Sequence, residues 1–261
     1  MNLEIKNRVS LVLGAGGGLG GAIALALARE GATVIGCDIS ASGLDETVRN
    51  AAEEGTTVTP MVADLADLNS LDALVASITD RFGPVSILVN NTGGPPPSTA
   101  AGVEAATWRQ HFDSMVLPVF HLTDLVLPGM RELGWGRVIT STSSGVVAPI
   151  PNLGVSNALR SALVGWSKTL AAEVGPDGIT ANIVLPGRIA TSRIVALDEA
   201  KAAREGRSVD EVRAESVASI PLRRYGKPSD YGDVVAFLAS ERASFINGSI
   251  IRVDGGMIPS I

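Results

Sequence analysis

Six glycines follow a short apolar run near the amino terminus, in the segment LVLGAGGGLGGAIA. Glycine lets a backbone turn sharply and approach a pyrophosphate, whose charge then rests on the amino terminus of the next helix. A second apolar run ends in Asp38, 18 residues beyond Gly20, a spacing that suits hydrogen bonds from ribose hydroxyls. Strand, glycine loop, helix and second strand together predict a dinucleotide site, whereas a glycine match alone would be a weak signal.

Asp38 also bears on the type of dinucleotide. A carboxylate accepts a hydrogen bond from a ribose 2′-hydroxyl but repels a 2′-phosphate. Gly17 lies where a basic side chain could meet such a phosphate, and it carries none. We therefore predict that NAD(H) is preferred over NADP(H). The alternative role for Asp38 is to cap the helix expected near residue 42, although Ser40 or Ser42 is closer to that helix.

Short β-branched runs alternate with longer helical patterns along the whole sequence. Strands that are apolar throughout and separated by helices favour a parallel sheet covered on both faces. The sequence therefore predicts an α/β fold, a single domain over 1–261 with a Rossmann-type, doubly wound sheet of seven strands. We expect strands at 9–13, 33–37, 57–62, 85–89, 137–141, 179–185 and 249–253, and helices at 18–30, 42–54, 68–82, 103–132, 154–174 and 228–240.

One charged segment, at about 188–227, interrupts this alternation. It contains helical patterns such as VDEVRAESVAS and follows the sixth expected strand. An insertion at the carboxyl end of a strand lies beside the ligand crevice of an open α/β sheet, so we interpret it as lid-like. The alternative is a helical excursion on the surface.

Composition and charge narrow the range of partners. The net charge of −6 argues against nucleic acid, because phosphate binding needs clustered lysine and arginine. A single cysteine, Cys37, allows no internal disulfide and provides no metal cluster. The first residues lack the pattern of a signal peptide, and no apolar run reaches the ~18 residues of a membrane span. We expect a cytoplasmic protein with a small-molecule substrate.

Five motifs in order resemble the short-chain dehydrogenase/reductase family over nearly the whole chain, and within it the 3-oxoacyl-carrier-protein reductases. LGAGGGLG is similar to the glycine loop of the family, with Leu13 where threonine is usual, and ADL, NNTG, PGRIAT and VDGG match later segments. The resemblance implies an NAD(P)-dependent oxidoreductase that acts on a carbonyl or alcohol and assembles as a homotetramer or dimer. The implied cofactor-binding residues are Gly14, Gly18, Leu19, Gly20, Asp38, Asp64, Leu65, Asn91, Gly93, Pro186, Gly187, Ile189 and Thr191.

The catalytic residues are where this sequence departs from the family. The family's serine is retained as Ser143, but its asparagine, tyrosine and lysine are replaced by Met115, Ser156 and Arg160. A serine hydroxyl is a far poorer acid than a phenol, and an arginine stays protonated. Tyr225 and Tyr231 lie in a later segment, where neither is placed to replace the missing tyrosine.

The altered set still contains groups that can do chemistry. Ser143 and Arg160 could stabilise an oxyanion, and water or the substrate could supply a proton. We predict that Ser143, Ser156 and Arg160 form an altered active site in which Arg160 points into the crevice. Arg188 and Arg193 could grip an anionic substrate; the alternative is that both face solvent.

Three functions remain open at this point. The first is an oxidoreductase with an altered proton path. The second is a redox-neutral isomerase or lyase on the same fold, and the third is a non-catalytic dinucleotide-binding protein. His111 and His121 have no cysteine or histidine neighbours at metal spacing, so we expect no metal site.

Overall fold

A computed structural model describes residues 2–261 and shows a parallel seven-stranded sheet. The strand order is β3-β2-β1-β4-β5-β6-β7. The chain winds outward from β1 to β3 and then returns to build the other half from β4, so the crevice for a ligand lies at the carboxyl ends of β1 and β4. The strands are β1 (Val9–Leu13), β2 (Thr33–Asp38), β3 (Val58–Val62), β4 (Ile87–Asn90), β5 (Gly136–Ser141), β6 (Ile179–Pro186) and β7 (Ile250–Val253).

Helices cover both faces of this sheet, which confirms the predicted doubly wound Rossmann-type fold. They are α1 (Gly18–Arg29), α2 (Ala41–Glu53), α3 (Leu68–Phe82), α4 (Ala105–Met115), α5 (Leu117–Leu133), α6 (Gly154–Val174), α7 (Ser192–Glu205), α8 (Val209–Ser219) and α9 (Pro228–Leu238).

The core is divided into two apolar layers by the alternation of side chains along each strand. Val12 packs on one face of β1 with residues of α1 and α9, while Leu11 and Leu13 pack on the other face with residues of α3, α5 and α6. Cys37 is buried in the second layer, where burial raises the pKa of its thiol to about 12. This cysteine is therefore an apolar core residue.

The single helix expected at 103–132 is instead two helices that meet at Val116. Pro118 lies in the first turn of α5, where its missing N–H costs nothing. The same proline could not continue α4, because its ring would clash with the preceding turn. The break buries Met115 and Val116 against α6.

The charged segment after β6 forms an excursion closed at its base. Ala190 N donates to Gly226 O, and Gly226 N donates to Arg188 O, so the two ends of the segment pair with each other. Helices α7 and α8 lie within it. Across residues 2–261, none of the helices combines the length and the apolar character that a membrane span requires.

Candidate active site

The glycine loop between β1 and α1 is packed so closely that side chains are excluded at specific positions. Gly14 has a φ of +64°, and a Cβ there would lie 2.6 Å from the carbonyl oxygen of Asn91. A Cβ on Gly20 would collide with the carbonyl oxygen of Gly14. The sequence LGAGGGLG therefore contains glycine where the backbone itself leaves no room.

The first turn of α1 remains available to a negatively charged group. Its N-cap is Gly17, which makes no side-chain cap, and no acidic residue lies in the turn. A Cβ on Gly17 would have nothing within 4 Å. Unpaired amide groups and the positive end of the helix dipole at this point fit a pyrophosphate.

Asp38 lies at the end of β2 with its carboxylate turned toward the glycine loop. Its two oxygens accept hydrogen bonds from Gly16 N and Ser40 N, each at 2.9 Å. Ser40, and not Asp38, caps α2, since its hydroxyl accepts from Gly43 N. The carboxylate is thus held beside the loop, in a position that fits contact with a ribose.

The remaining residues named for the cofactor lie around the same crevice. Asn91 donates to the carbonyl oxygen of Leu13 at 3.2 Å and so joins the ends of β4 and β1. The Thr191 side chain lies against Gly18, and its hydroxyl forms no cap on α7. Pro186 and Gly187 end β6, and Ile189 is buried at the base of the excursion. Leu19 and Leu65 are half-buried, whereas Asp64 and Gly93 are exposed.

Arg160, on α6, lies beneath the carboxyl ends of β4 and β5. It is only 8% exposed. Its guanidinium donates to the carbonyl oxygens of Gly93 at 2.9 Å, Thr92 at 3.1 Å and Ser141 at 3.4 Å. These bonds tie α6 to both strand ends, so Arg160 is turned inward toward the site rather than out to solvent.

The charge of Arg160 is not neutralised by a carboxylate. Burial lowers the pKa of Arg160 to about 10, and the nearby charge of Arg193 acts in the same direction. The three carbonyl acceptors favour the charged form, so the group stays protonated at neutral pH. The site therefore keeps a buried positive charge.

Two hydroxyl groups lie near this charge. Ser156 is one turn before Arg160 on the buried face of α6 and is 4% exposed. Ser143 follows β5, and its oxygen accepts from Gly145 N at 3.0 Å, which leaves its proton free to donate. Met115 is buried in an apolar cluster with residues of α6.

The two arginines expected to hold a substrate have different surroundings. Arg188 donates to the buried carboxylate of Asp198 at 2.6 Å, and the Tyr225 hydroxyl donates to the same carboxylate at 2.7 Å. The structure thus gives Arg188 a partner inside the excursion, and its expected role in holding a substrate stays a prediction. Arg193 reaches only the carbonyl oxygens of Gly94 and Pro95, at 3.5 and 3.4 Å.

Sequence reasoning missed the buried polar groups behind the site. Tyr231 is fully buried, and its hydroxyl lies 2.8 Å from Ser141 Oγ and 3.2 Å from the carbonyl oxygen of Val184. Burial raises the pKa of this phenol, so Tyr231 does not act as the missing acid. The only signal in the sequence was the row of hydroxyl residues TSTSS at the end of β5. The sequence alone did not indicate which side chain would contact them.

The two histidines are remote from these groups. His121 on α5 pairs with Asp72 at 2.7 Å, and His111 lies half-buried on α4. No cluster of three or more histidine, cysteine, aspartate or glutamate residues with metal-binding geometry occurs within the described part of the chain.

Comparison with known proteins identifies the relatives of this chain. The family model described as Enoyl-(Acyl carrier protein) reductase matches residues 14–258. The chain is 36% identical to 3-oxoacyl-[acyl-carrier-protein] reductase FabG of Vibrio cholerae over 98% of this chain and 99% of the relative, and 34% identical to Nodulation protein G of Azospirillum brasilense over 97% and 99%. L-sorbose reductase of Gluconobacter frateurii, solved with NADPH and L-sorbose, aligns with a TM-score of 0.93 and 31% identity over 100% of both chains.

The chain belongs to the short-chain dehydrogenase/reductase family of oxidoreductases. The uncapped first turn of α1, the crowded glycines and the inward Asp38 carboxylate all fit a nicotinamide dinucleotide.

Proposed function

We propose that this protein is an NAD(P)-dependent oxidoreductase that interconverts a carbonyl and an alcohol with the altered set Met115, Ser143, Ser156 and Arg160. The observation that carries the proposal is the buried, unneutralised guanidinium of Arg160 next to an intact cofactor loop. Burying a charge that has no carboxylate partner is costly, and the position of this charge beside the crevice supports a role in the reaction in addition to its structural bonds.

The three polar residues of the altered set each have a role in this proposal. A bound nicotinamide supplies the hydride. The free proton of Ser143 donates to the carbonyl oxygen, and the hydroxyl of Ser156 adds a second donor. Arg160 acts through its charge, which favours a developing oxyanion in a water-poor site. The expected loss of the phenol leaves water or the substrate to provide the proton.

We further propose that NAD(H) binds more tightly than NADP(H), through Asp38 and the residues named above for the cofactor. The support is the fixed carboxylate of Asp38 and the open space at Gly17, a position that carries no basic side chain to bind a 2′-phosphate. Replacing the carboxylate in Asp38→Asn removes the repulsion of a 2′-phosphate and should shift the NADH/NADPH affinity ratio about tenfold toward NADPH. Parallel fluorescence titrations test this, and an unchanged ratio would contradict it.

We propose that the 188–227 excursion acts as a lid within a single domain. We also propose that the protein assembles as a tetramer or dimer. Phe112 on α4 is exposed, and the outward positions of α6 include small residues such as Ala162 and Gly165 that allow close helix packing. Sedimentation equilibrium tests the assembly; a single 26.8 kDa species at micromolar concentration would overturn it.

The activity itself is tested in two steps. NADH fluorescence measures cofactor binding, and the absorbance of NADH then follows its oxidation against a panel of ketones, β-keto thioesters and quinones. Binding with turnover supports the proposal. Binding without turnover on any carbonyl favours the isomerase, lyase or non-catalytic alternatives, and absence of binding removes the oxidoreductase from consideration.

A further inference from the structure

Two guanidinium groups converge on one short loop at the mouth of the crevice. The loop is 92–95, with the sequence TGGP. An ideal Cβ on Gly94 would lie 2.7 Å from Arg193 Nη2 and 3.4 Å from Arg160 Nη2, so the two arginines flank a single backbone position. The two positive charges repel each other across this position, and this repulsion helps to lower the pKa of Arg160.

Several arginines of the nearby excursion are paired with carboxylates. Arg188 has Asp198, Arg207 has Glu205 and Glu215, and Arg224 has Asp230. Arg193 belongs to the same segment but has only carbonyl acceptors, at distances where hydrogen bonds are weak. Arg160 and Arg193 are thus two neighbouring guanidinium groups that have only carbonyl acceptors, and no carboxylate, among residues 2–261.

Two further features favour an anion at this place. Arg193 lies in the first turn of α7, which has no acidic residue and whose N-cap, Thr191, makes no side-chain cap. The positive end of that helix is therefore not compensated. Ser156, which is 4% exposed, lies on the same face of α6 as Arg160 and carries a hydroxyl that can donate.

We infer that the crevice accepts a substrate with a carboxylate, which Arg193 binds at the 92–95 loop while Arg160 remains fixed beneath it. A planar carboxylate matches the two-pronged geometry of a guanidinium and would replace the long bonds from Arg193 to Gly94 and Pro95. The substrate class is then an oxo acid or the corresponding hydroxy acid. This inference rests on the proposed function, since it identifies what the same site reduces.

Binding to the complex with NAD⁺ tests the inference without turnover, because an oxidised cofactor cannot reduce a ketone. Isothermal titration compares three acids with their methyl esters: acetoacetate, levulinate and benzoylformate. We expect at least one acid to bind about tenfold more tightly than its ester, as a charge-assisted hydrogen bond allows. If no acid binds more tightly than its ester, the inference is wrong.

Variants then locate the preference. Arg193→Gln should remove the advantage of the acid while leaving the affinities for the ester and for NAD⁺ unchanged, and Arg193→Lys should retain part of it. Arg204→Gln, on the same helix in its last turn, is the matched control and should change nothing. An equal loss for acid and ester, or a loss of NAD⁺ affinity, would overturn the role of Arg193.

The inference and the proposed function can fail separately. Preferential acid binding without NADH oxidation of any ketone would leave the carboxylate site intact and remove the reductase activity. Turnover of neutral ketones with no preference for acids would support the reductase activity and remove the carboxylate site.

Discussion

The two halves of the crevice differ in what determines their geometry. Around β1, α1 and β2, the backbone determines it, since Gly14 and Gly20 leave no space for a side chain and Asp38 bonds to loop amides. Around α6 and the ends of β4 and β5, the side chain of Arg160 holds the backbone together through three carbonyl groups. A family can therefore change residues in the second half more easily than in the first.

We therefore expect the glycine loop to tolerate fewer substitutions than the buried face of α6 that carries Arg160. A larger residue in the glycine loop displaces the main chain that meets the pyrophosphate. Ser156 and Arg160, which we predict to take the places of the family's tyrosine and lysine, both lie on the buried face of α6. The backbone-determined half should therefore respond to mutation more strongly.

The largest expected effect is that of Gly20→Ala. The new Cβ collides with the carbonyl oxygen of Gly14, so the loop must shift, and the free energy of unfolding should fall by about 3 kcal/mol, the upper part of the usual range for overpacking. NADH binding should be lost with the loop geometry. Urea unfolding and NADH fluorescence measure the two effects.

Gly17→Ala is the matched control for this comparison. It has extended backbone and nothing within 4 Å of its Cβ position, so its stability should change by less than about 0.5 kcal/mol. Equal destabilisation by both alanines would mean that glycine in this loop serves general flexibility and not close packing.

The second effect is that of Arg160→Met, which tests the half held by side chains. Methionine retains an apolar stem but gives no donor to the three carbonyls and no charge to an oxyanion. We expect kcat to fall by about 10²–10³-fold, as for the loss of an oxyanion donor, with NADH affinity nearly unchanged.

Lys168→Met, an exposed position on the same helix, is the control and should leave kcat unchanged. Steady-state kinetics and NADH titration distinguish a role of Arg160 in the reaction from a role only in holding the loop 92–95. A loss of NADH affinity as large as the loss of kcat would show that Arg160 only holds the loop 92–95, and would remove it from the reaction.

The fold was predictable from the sequence because its signals are local. Apolar runs of four to eight residues and the glycine loop lie within single elements, so the seven strands and their parallel order were confirmed. The break at Val116 was missed because the apolar pattern continues through it, although Pro118 was visible in the sequence.

The site was only partly predictable because its contacts join residues distant in sequence. The position of Arg160 on α6 followed from the motif, but its bonds to Thr92 and Gly93 cross 68 and 67 residues. The pairing of Arg188 with Asp198 depends on how the excursion folds back on itself, and no local pattern indicates it. Side-chain partners of this kind need the three-dimensional structure.

The weakest predicted change is in the pH dependence of kcat/KM, which should depend on the charge of Arg160. Burial, and then the charge of Arg193, lowers the pKa of this guanidinium to about 10. A cation whose pKa is lowered remains protonated below that value, so its charge is present throughout pH 6.5–9 and is lost only as the pH rises through 10. With a substrate that does not titrate, kcat/KM should therefore be flat over this range.

Arg160→Lys should introduce a pH dependence that the native protein lacks. Lysine starts from a pKa of about 10.4, roughly 2 below that of arginine, and the same burial and the same neighbouring charge lower it further. Activity of this variant should fall as pH rises within pH 6.5–9, because the charge that favours the oxyanion is lost. Matched pH profiles of kcat/KM for the two proteins provide the measurement. A native profile that declines between pH 7 and 9 would mean that another group supplies the proton or the charge, and would contradict the role of Arg160 in the reaction.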